Sequence, residues 1–440
     1  METPALTVRR YAYALAIMLL LAACGQSGAV PPTPAPAPTV APTTPATPLP
    51  SPTAPPTATP PPTPTPAPEP LTVWVAADEA HRDALTRLLT DAAAETGVPV
   101  RIMSGSPDAM IARLRVDQLD GRPPPDLIWG NGNDLAILRT MGLIQATRRM
   151  ASPNDTLPAV ITGATADGQQ WGEPVAAQGF LLLLYNRKLV EYPPRTVDSL
   201  IATARASTGG NRVGLVAGWT EARWFALWLD MTGGTMLDAD GMPQLDTPAV
   251  IAALDLLRTV RRYGPTPPST YDEGARLFRR GRAALAIDGD WALESYRGLT
   301  ETLELGIAPL PLTSRGTPAT APLTGVYLMY GAALDASRLA QAEALAQTLR
   351  EPAWQARIAR DTGMLPASIA ALSDPAVTDD PALAAAAQYA RNAPGIPPDR
   401  PIRCAWDAIE AALSPFLLGK RTAAETASAM QQRADACARQ

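Results

Sequence analysis

Beyond residue 70 the chain alternates short apolar runs with longer segments whose apolar residues recur at helical spacing. Leu71 to Ala77 has the length of a strand, and His81 to Glu95 carries Leu85, Leu88, Leu89 and Ala92 on one helical face before Gly97 stops it. Val98 to Ile102 reads as the next strand. Ser106 then caps a helix with Pro107 in its first turn and Met110, Ile111 and Leu114 directed inward. Asp126 to Trp129 forms a third strand, followed by a helix that ends at Gly142 and takes Asn133 as its candidate cap. Three strand-helix units in succession predict an α/β fold with a parallel sheet covered on both faces. In such open sheets a ligand lies beyond the carboxyl ends of the strands. That rule selects Ala76 to Glu79, Gly130 to Asp134 and the residues after Pro174. A further apolar run, Leu181 to Tyr185, leads through Asn186-Arg187-Lys188 to Pro193-Pro194 and predicts entry into a second domain.

The first 70 residues break this pattern. Arg9 and Arg10 precede an apolar run from Tyr11 to Leu20 and the small-residue stretch Leu21-Ala22-Ala23-Cys24-Gly25. The run falls short of the roughly 20 apolar residues that span a bilayer, so residues 1–23 are expected to be a processed export signal. Leu-Ala-Ala-Cys is similar to a bacterial lipobox, which implies lipidation of Cys24 as the first mature residue; a plain secretory signal with a coincidental Cys24 is the alternative. Residues 24–70 are then a disordered tether of Pro, Thr and Ala. Most of the excess in the chain's 48 prolines lies there. In polyproline II, at about 3.1 Å per residue, it would hold the folded part up to roughly 100 Å from a membrane.

Charge and composition then narrow the chemistry. A net charge of -5 offers no concentrated basic surface for nucleic acid. The single histidine, His81, has no partner in sequence, so zinc sites and histidine triads find no support and no cofactor or metal is expected. Gly130-Asn131-Gly132, Gly209-Gly210 and Gly233-Gly234 lack the spacing of a phosphate loop. Cys404 and Cys437 lie in two predicted helices, about Ile402 to Leu418 and Thr422 to Arg439, at similar distances from a turn at Gly419. An antiparallel hairpin would bring them together, predicting a disulfide in an oxidising compartment, with two free buried thiols as the alternative.

Several segments in order now resemble one family. They are Pro125-Asp126-Leu127-Ile128-Trp129, the GFLLLLYNRK run from Gly179 to Lys188 with its Pro193-Pro194 sequel, GRAALAIDGDWALESY from Gly281 to Tyr296, and Gly306-Ile307-Ala308-Pro309-Leu310-Pro311. Together they are similar to the family-one extracellular solute-binding proteins of ABC importers, maltodextrin-binding members among them. The resemblance implies two α/β lobes joined by crossing strands and closing on ligand like a hinge. Residues 71–176 with 308–334 would form lobe one, and residues 177–307 with 335–440 lobe two. It also implies an extracytoplasmic, lipid-anchored and monomeric receptor that catalyses nothing and hands a solute to a membrane permease.

Nine tryptophans against four phenylalanines favour a carbohydrate as that solute, because an indole face packs on the apolar face of a pyranose. The resemblance places Trp291 in a ligand-stacking segment and likens Trp406 to a second platform. Trp219 and Trp224 are expected to face the cleft, and Trp228 to be core. Strand-end polar candidates are Asp78, Glu79, Asn131, Asn133 and Asp134, with Asn133 also readable as a helix cap alone. Gln178 stands where relatives carry an acid, a departure that weakens a maltodextrin assignment. Glu221 and Arg223 form either a charged rim or a solvated helix face. Alternatives are a receptor for a polyamine or a polyol phosphate, and a surface glycoside hydrolase using Asp288 and Asp290. Those two acids share one turn, whereas glycosidase carboxyls usually come from separate strands.

Overall fold

The computed structural model describes residues 69–439 except Pro267 and Pro268; the export signal, Cys24 and nearly all of the tether lie outside the described residues. Two sheets organise them. The first begins with β1 (Leu71–Ala76), flanked in parallel by β2 (Val100–Gly105) and β3 (Leu127–Asn131). After β4 (Ile144–Gln145) and the hairpin of β5 (Thr165–Ala166) and β6 (Gln169–Gln170) comes β7 (Glu173–Gln178). The chain then crosses to the second sheet, made of β8 (Leu181–Asn186), β9 (Val213–Val216), β10 (Ala283–Gly289) and β11 (Leu305–Ala308) in the order β11-β8-β10-β9. It returns as β12 (Thr324–Gly331) and ends its strands with β13 (Leu365–Pro366), giving a first sheet ordered β13-β7-β12-β3-β1-β2, with β4 also on β12.

The three strands read from the sequence do pair in parallel, as β2-β1-β3, but the sheet as a whole is mixed, since β12 runs antiparallel to β3 and β7. The register gives the reason: Thr324, where β12 enters, pairs with Gln178, where β7 leaves. A strand that returns directly from the other lobe enters at the end its neighbour exits, and has to run the opposite way. No crossover helix intervenes to reverse it.

Strand alternation builds the core on both faces of this sheet. Leu71, Val73 and Val75 of β1, with Val326, Leu328 and Tyr330 of β12, pack against Leu85, Leu88 and Leu89. Trp74, Ala76, Tyr327 and Met329 point the other way, into a larger core continuous with the second lobe. Helix Glu79–Thr96 starts two residues earlier than its apolar spacing suggests and ends on Gly97 in the left-handed region. Ser106 caps Pro107–Leu119 as expected, accepting from the Ala109 N–H at 3.3 Å.

The lobe boundary expected at residue 334 is also corrected. Helices Ala336–Arg350 and Pro352–Thr362 pack on lobe one, burying Leu339, Leu345, Leu349 and Ile358 in the same cluster as Leu71 and Leu85. Arg338 reaches Asp126 at 2.9 and 2.6 Å, while Asp126 also accepts from the Thr72 N–H at 2.7 Å. β13 closes this return by pairing with β7. Once β12 has come home, the nearest open apolar surface for the following helices is the uncovered face of the first sheet, not the other lobe.

Helix Pro381–Ala390 then packs on β8 and β11 of the second sheet, its Tyr389 hydroxyl donating to the Leu181 carbonyl at 3.1 Å. The C-terminal helices Arg400–Leu417 and Ala423–Ala438 join lobe two against helices Ala222–Met231 and Pro248–Arg261. A disulfide joins Cys404 to Cys437 across this hairpin, with Cα atoms 5.6 Å apart. Gly419 makes the turn at φ 74° and Thr422 with Glu425 forms a capping box. Among the described residues no helix is long and apolar enough to cross a membrane.

Candidate functional site

The two lobes meet where β7 becomes β8, and Gly179 between them has φ 73°, a conformation that favours glycine. Its N–H donates to Asp290 Oδ2 at 2.9 Å, and the Asp290 N–H donates to the Phe180 carbonyl at 3.1 Å. Asp290 opens a short helical turn at the carboxyl end of β10. Burial holds its carboxyl up at about 6, against the opposing pull of the Gly179 N–H and of Arg223.

That turn presents Trp291, which is 46% exposed. Its indole N–H donates to the Tyr271 hydroxyl at 2.8 Å, and Tyr271 donates to Asp288 Oδ1 at 2.8 Å. Tyr296 donates to the other Asp288 oxygen. Trp224 stands edge-on behind Trp291, with ring centroids 5.8 Å apart, and donates its own N–H to the Ile287 carbonyl at 2.7 Å. Gly289 makes room for this arrangement, because a Cβ there would meet the Trp291 ring at 2.1 Å. The result is a half-exposed indole with its N–H edge held by a hydrogen-bonded chain.

Arg223, a neighbour of Trp291, lines a cavity of about 400 Å³ whose lining does not include Trp291 itself. Lobe one contributes Asn133, lobe two contributes Arg223, and the Arg400–Leu417 helix with its approach contributes Ile396, Arg400, Arg403, Trp406, Asp407 and Glu410, together with the disulfide. The Arg223 guanidinium sits 6.0 Å from the Trp291 ring centroid and 5.6 Å from that of Trp406. Glu410 accepts from the Ala222 N–H at 3.2 Å and so serves the start of helix Ala222–Met231. Neighbouring Glu221 is partly buried, and burial first, then Glu410, Asp288 and Asp272, push its carboxyl up to about 7. A second, smaller cavity of about 30 Å³ is lined by Asp78, His81, Asn131 and Gln178, all near the carboxyl ends of β1, β3 and β7.

Across residues 87–385, about two thirds of the chain, the sequence matches the pattern described as bacterial extracellular solute-binding protein. The chain belongs to that family. As a solute-binding protein it is similar to a maltotriose-binding protein of Pyrococcus abyssi, 25% identical over 255 residues. That match covers 57% of this chain and 55% of the relative, so the chain spans only about half of the relative's length. Two solved structures share the two-lobed fold. A cyclo/maltodextrin-binding protein complexed with maltotetraose superposes with a TM-score of 0.73 at 21% identity, over 84% of this chain and 98% of the other. The maltose/maltodextrin-binding domain of Bdellovibrio bacteriovorus bound to maltotriose gives 0.65 at 23%, over 84% and 100%.

Within this solute-binding protein the sequence-derived candidates separate into groups. Asp78, Asn131 and Gln178 converge on the small cavity, while Asn133 and Trp406 line the large one. Glu79 is an exposed first residue of its helix and lines neither cavity. The cap at the third strand is Asn131 rather than Asn133. Asn131 accepts from the N–H groups of Asn133 and Asp134 at 2.8 and 3.3 Å, while Asp134 accepts from the Asn131 N–H at 2.9 Å. The helix starts at Gly132, two residues sooner than a cap at Asn133 implies, and the capping position moves with it.

Two tryptophans expected at the cleft are corrected to interior positions. Trp219 is 2% exposed beneath the Arg261 guanidinium, 5.5 Å from its ring centroid. Trp224 is buried and acts as backing for Trp291 rather than as an open face. Helix Ala222–Met231 is buried nearly all round, so aromatic residues at its start are enclosed whichever way they point. Trp228 is core, as expected. Tyr271, Glu410 and the bonds of Arg223 had no signal in the sequence, since each partner is distant along the chain.

Proposed function

We propose that this protein captures a sugar, of the maltodextrin class, between its lobes and delivers it to the membrane subunits of an ABC importer. The observation that carries the reading is Trp291, an indole half open to solvent, edge-held by Tyr271 and backed by Trp224. Its neighbour Arg223 lines a cavity of about 400 Å³ together with Asn133 of lobe one. A flat apolar face next to convergent polar groups is what a pyranose requires, one side of its ring being C–H and its rim hydroxyl. Trp406 from the C-terminal hairpin is the second platform, and Asn133, Asp407 and Glu410 are the hydroxyl partners. Both the maltotriose-binding relative and the structural neighbours named above support the maltodextrin class.

The protein acts without catalysis in this reading. A glycosidase would need a free pair of carboxyls. Asp288 is instead held by two phenols and the Gly289 N–H, and Asp290 by the Gly179 N–H. The receptor works outside the cytoplasmic membrane, tethered through a lipidated Cys24, as a monomer. Isothermal titration with maltose, maltotriose, maltotetraose, spermidine and a tripeptide tests the ligand class. Saturable binding confined to the glucans is expected. Binding of spermidine or the peptide alone would overturn it, and turnover of a chromogenic glucoside would overturn the non-catalytic part.

A further inference from the structure

Arg223 connects parts of the molecule that no other described side chain joins in this way. It projects from lobe two, in the first turn of helix Ala222–Met231. One guanidinium nitrogen, Nη1, donates to the Gly179 carbonyl at 2.9 Å and to the Pro322 carbonyl at 2.7 Å. The other, Nη2, donates to Thr324 Oγ1 at 3.0 Å. Gly179 lies on the first passage between the sheets, from β7 to β8, and Pro322 and Thr324 lie on the second, where the chain enters β12. Between those two residues, the Leu323 N–H donates to the Pro394 carbonyl at 3.0 Å, on the stretch that leads to the C-terminal hairpin. A single planar fork thus pins two passages directly and borders the contact to the third. Its guanidinium carbon lies 6.0 Å from the Trp291 ring centroid and 5.6 Å from that of Trp406, and it lines the large cavity.

We infer that Arg223 is the positioning residue that couples occupancy of the two indole platforms to the geometry of the interlobe passages. The inference rests on the proposed reading of the cleft as a sugar site. A guanidinium fixes several acceptors at set angles through its rigid donors, and an ammonium on a flexible stem cannot reproduce that fork. A solute that covers Trp291 and Trp406 excludes water from the cation between them. Hydrogen bonds and cation–π contacts strengthen as the local dielectric falls, so an occupied site holds the passages more tightly than an empty one. By linkage, loosening the passages weakens binding by the same free energy. Asp290 completes the device from the opposite side: it accepts the Gly179 N–H while Arg223 takes the Gly179 carbonyl.

The test compares the full chain with Arg223→Lys and Thr324→Val. Maltotriose binding is followed by calorimetry, and backbone amide exchange at residues 179–181 and 323–325 by mass spectrometry, with and without maltotriose. In Arg223→Lys we expect affinity to fall roughly tenfold or more, as the loss of charge-assisted hydrogen bonds implies. Exchange at both passages should quicken without ligand, and the protection that maltotriose confers there should be lost, with Tm within about 5 °C of the parent. Thr324→Val removes one acceptor and should give a smaller change in the same direction; it carries the test if the lysine variant does not fold. Unchanged exchange and affinity would overturn the inference, as would faster exchange spread evenly over both cores, the mark of a merely structural residue. If the parent binds no glucan, the sugar reading fails, and the ligand-free exchange at the two passages alone decides the role of Arg223.

Discussion

Removing Trp291 separates a binding platform from a packing residue. The side chain is 46% exposed. An indole offers up to about 250 Å², so roughly 115 Å² of it is open to solvent. A pyranose covering half to all of that surface gains about 1.5–3 kcal/mol at ~25 cal/mol per Å². Trp291→Ala should therefore raise the maltotriose Kd roughly 10- to 100-fold. The buried remainder is worth a similar ~3 kcal/mol to the fold, so thermal unfolding should come a few degrees lower as well. The two effects are kept apart by titrating at 20 °C or so, where both proteins are folded, and by using Trp219→Ala as the contrast. Trp219 is 2% exposed, so it offers a solute no face. Its truncation should cost roughly 3–5 kcal/mol of stability and leave Kd unchanged. A Trp291→Ala protein that binds maltotriose within about threefold of the parent, less than 1 kcal/mol, would refute the platform, and equal weakening in Trp219→Ala would show that packing alone governs binding.

Three further outcomes follow from the described contacts. Reducing the Cys404–Cys437 bond, or replacing both cysteines by serine, opens a loop of sequence separation 33; on loop entropy it should lower stability by about 3–4 kcal/mol, read as a shift in the urea midpoint with and without dithiothreitol. Glu221 is raised from 4.5 to about 7, so the folded state binds more protons than the unfolded one between those pH values and stability falls as pH rises through that window. Urea midpoints at pH 5 and pH 8 should differ less in Glu221→Gln than in the parent, and an identical pH slope would count against the shift. Asn131→Ala should cost about 1 kcal/mol through loss of the helix cap, whereas Asn133→Ala should leave the urea midpoint unchanged; the reverse order would return the cap to Asn133.

Much of lobe one was legible before any coordinates. The 3.6-residue spacing of Leu85, Leu88, Leu89 and Ala92, the Ser106-Pro107 start and the Gly97 stop are local signals, and local signals decide where elements begin and end. The cysteine pair was legible for a similar reason, because two helices and one turn fix which residues face each other. Misplaced features were those that a window of neighbours does not contain. Whether Trp219 or Trp291 meets solvent depends on Arg261 and Gly264 in one case and on Tyr271 and Gly289 in the other. The tryptophan excess pointed to aromatic platforms without saying which indoles would stay uncovered.

By itself, then, the order of apolar and polar residues determined an α/β chain with strand-end loops rich in acids, amides and indoles, and a C-terminal helical hairpin held by two cysteines. Only the tertiary structure decided that β12 runs antiparallel, that residues 336–366 belong with lobe one, and that Arg223 ties Gly179 to Pro322 and Thr324. The physical reason is range. Helix periodicity and caps act over a few residues, whereas strand direction, lobe membership and buried hydrogen bonds are settled by which distant surfaces and carbonyls remain unmatched when the chain folds back on itself.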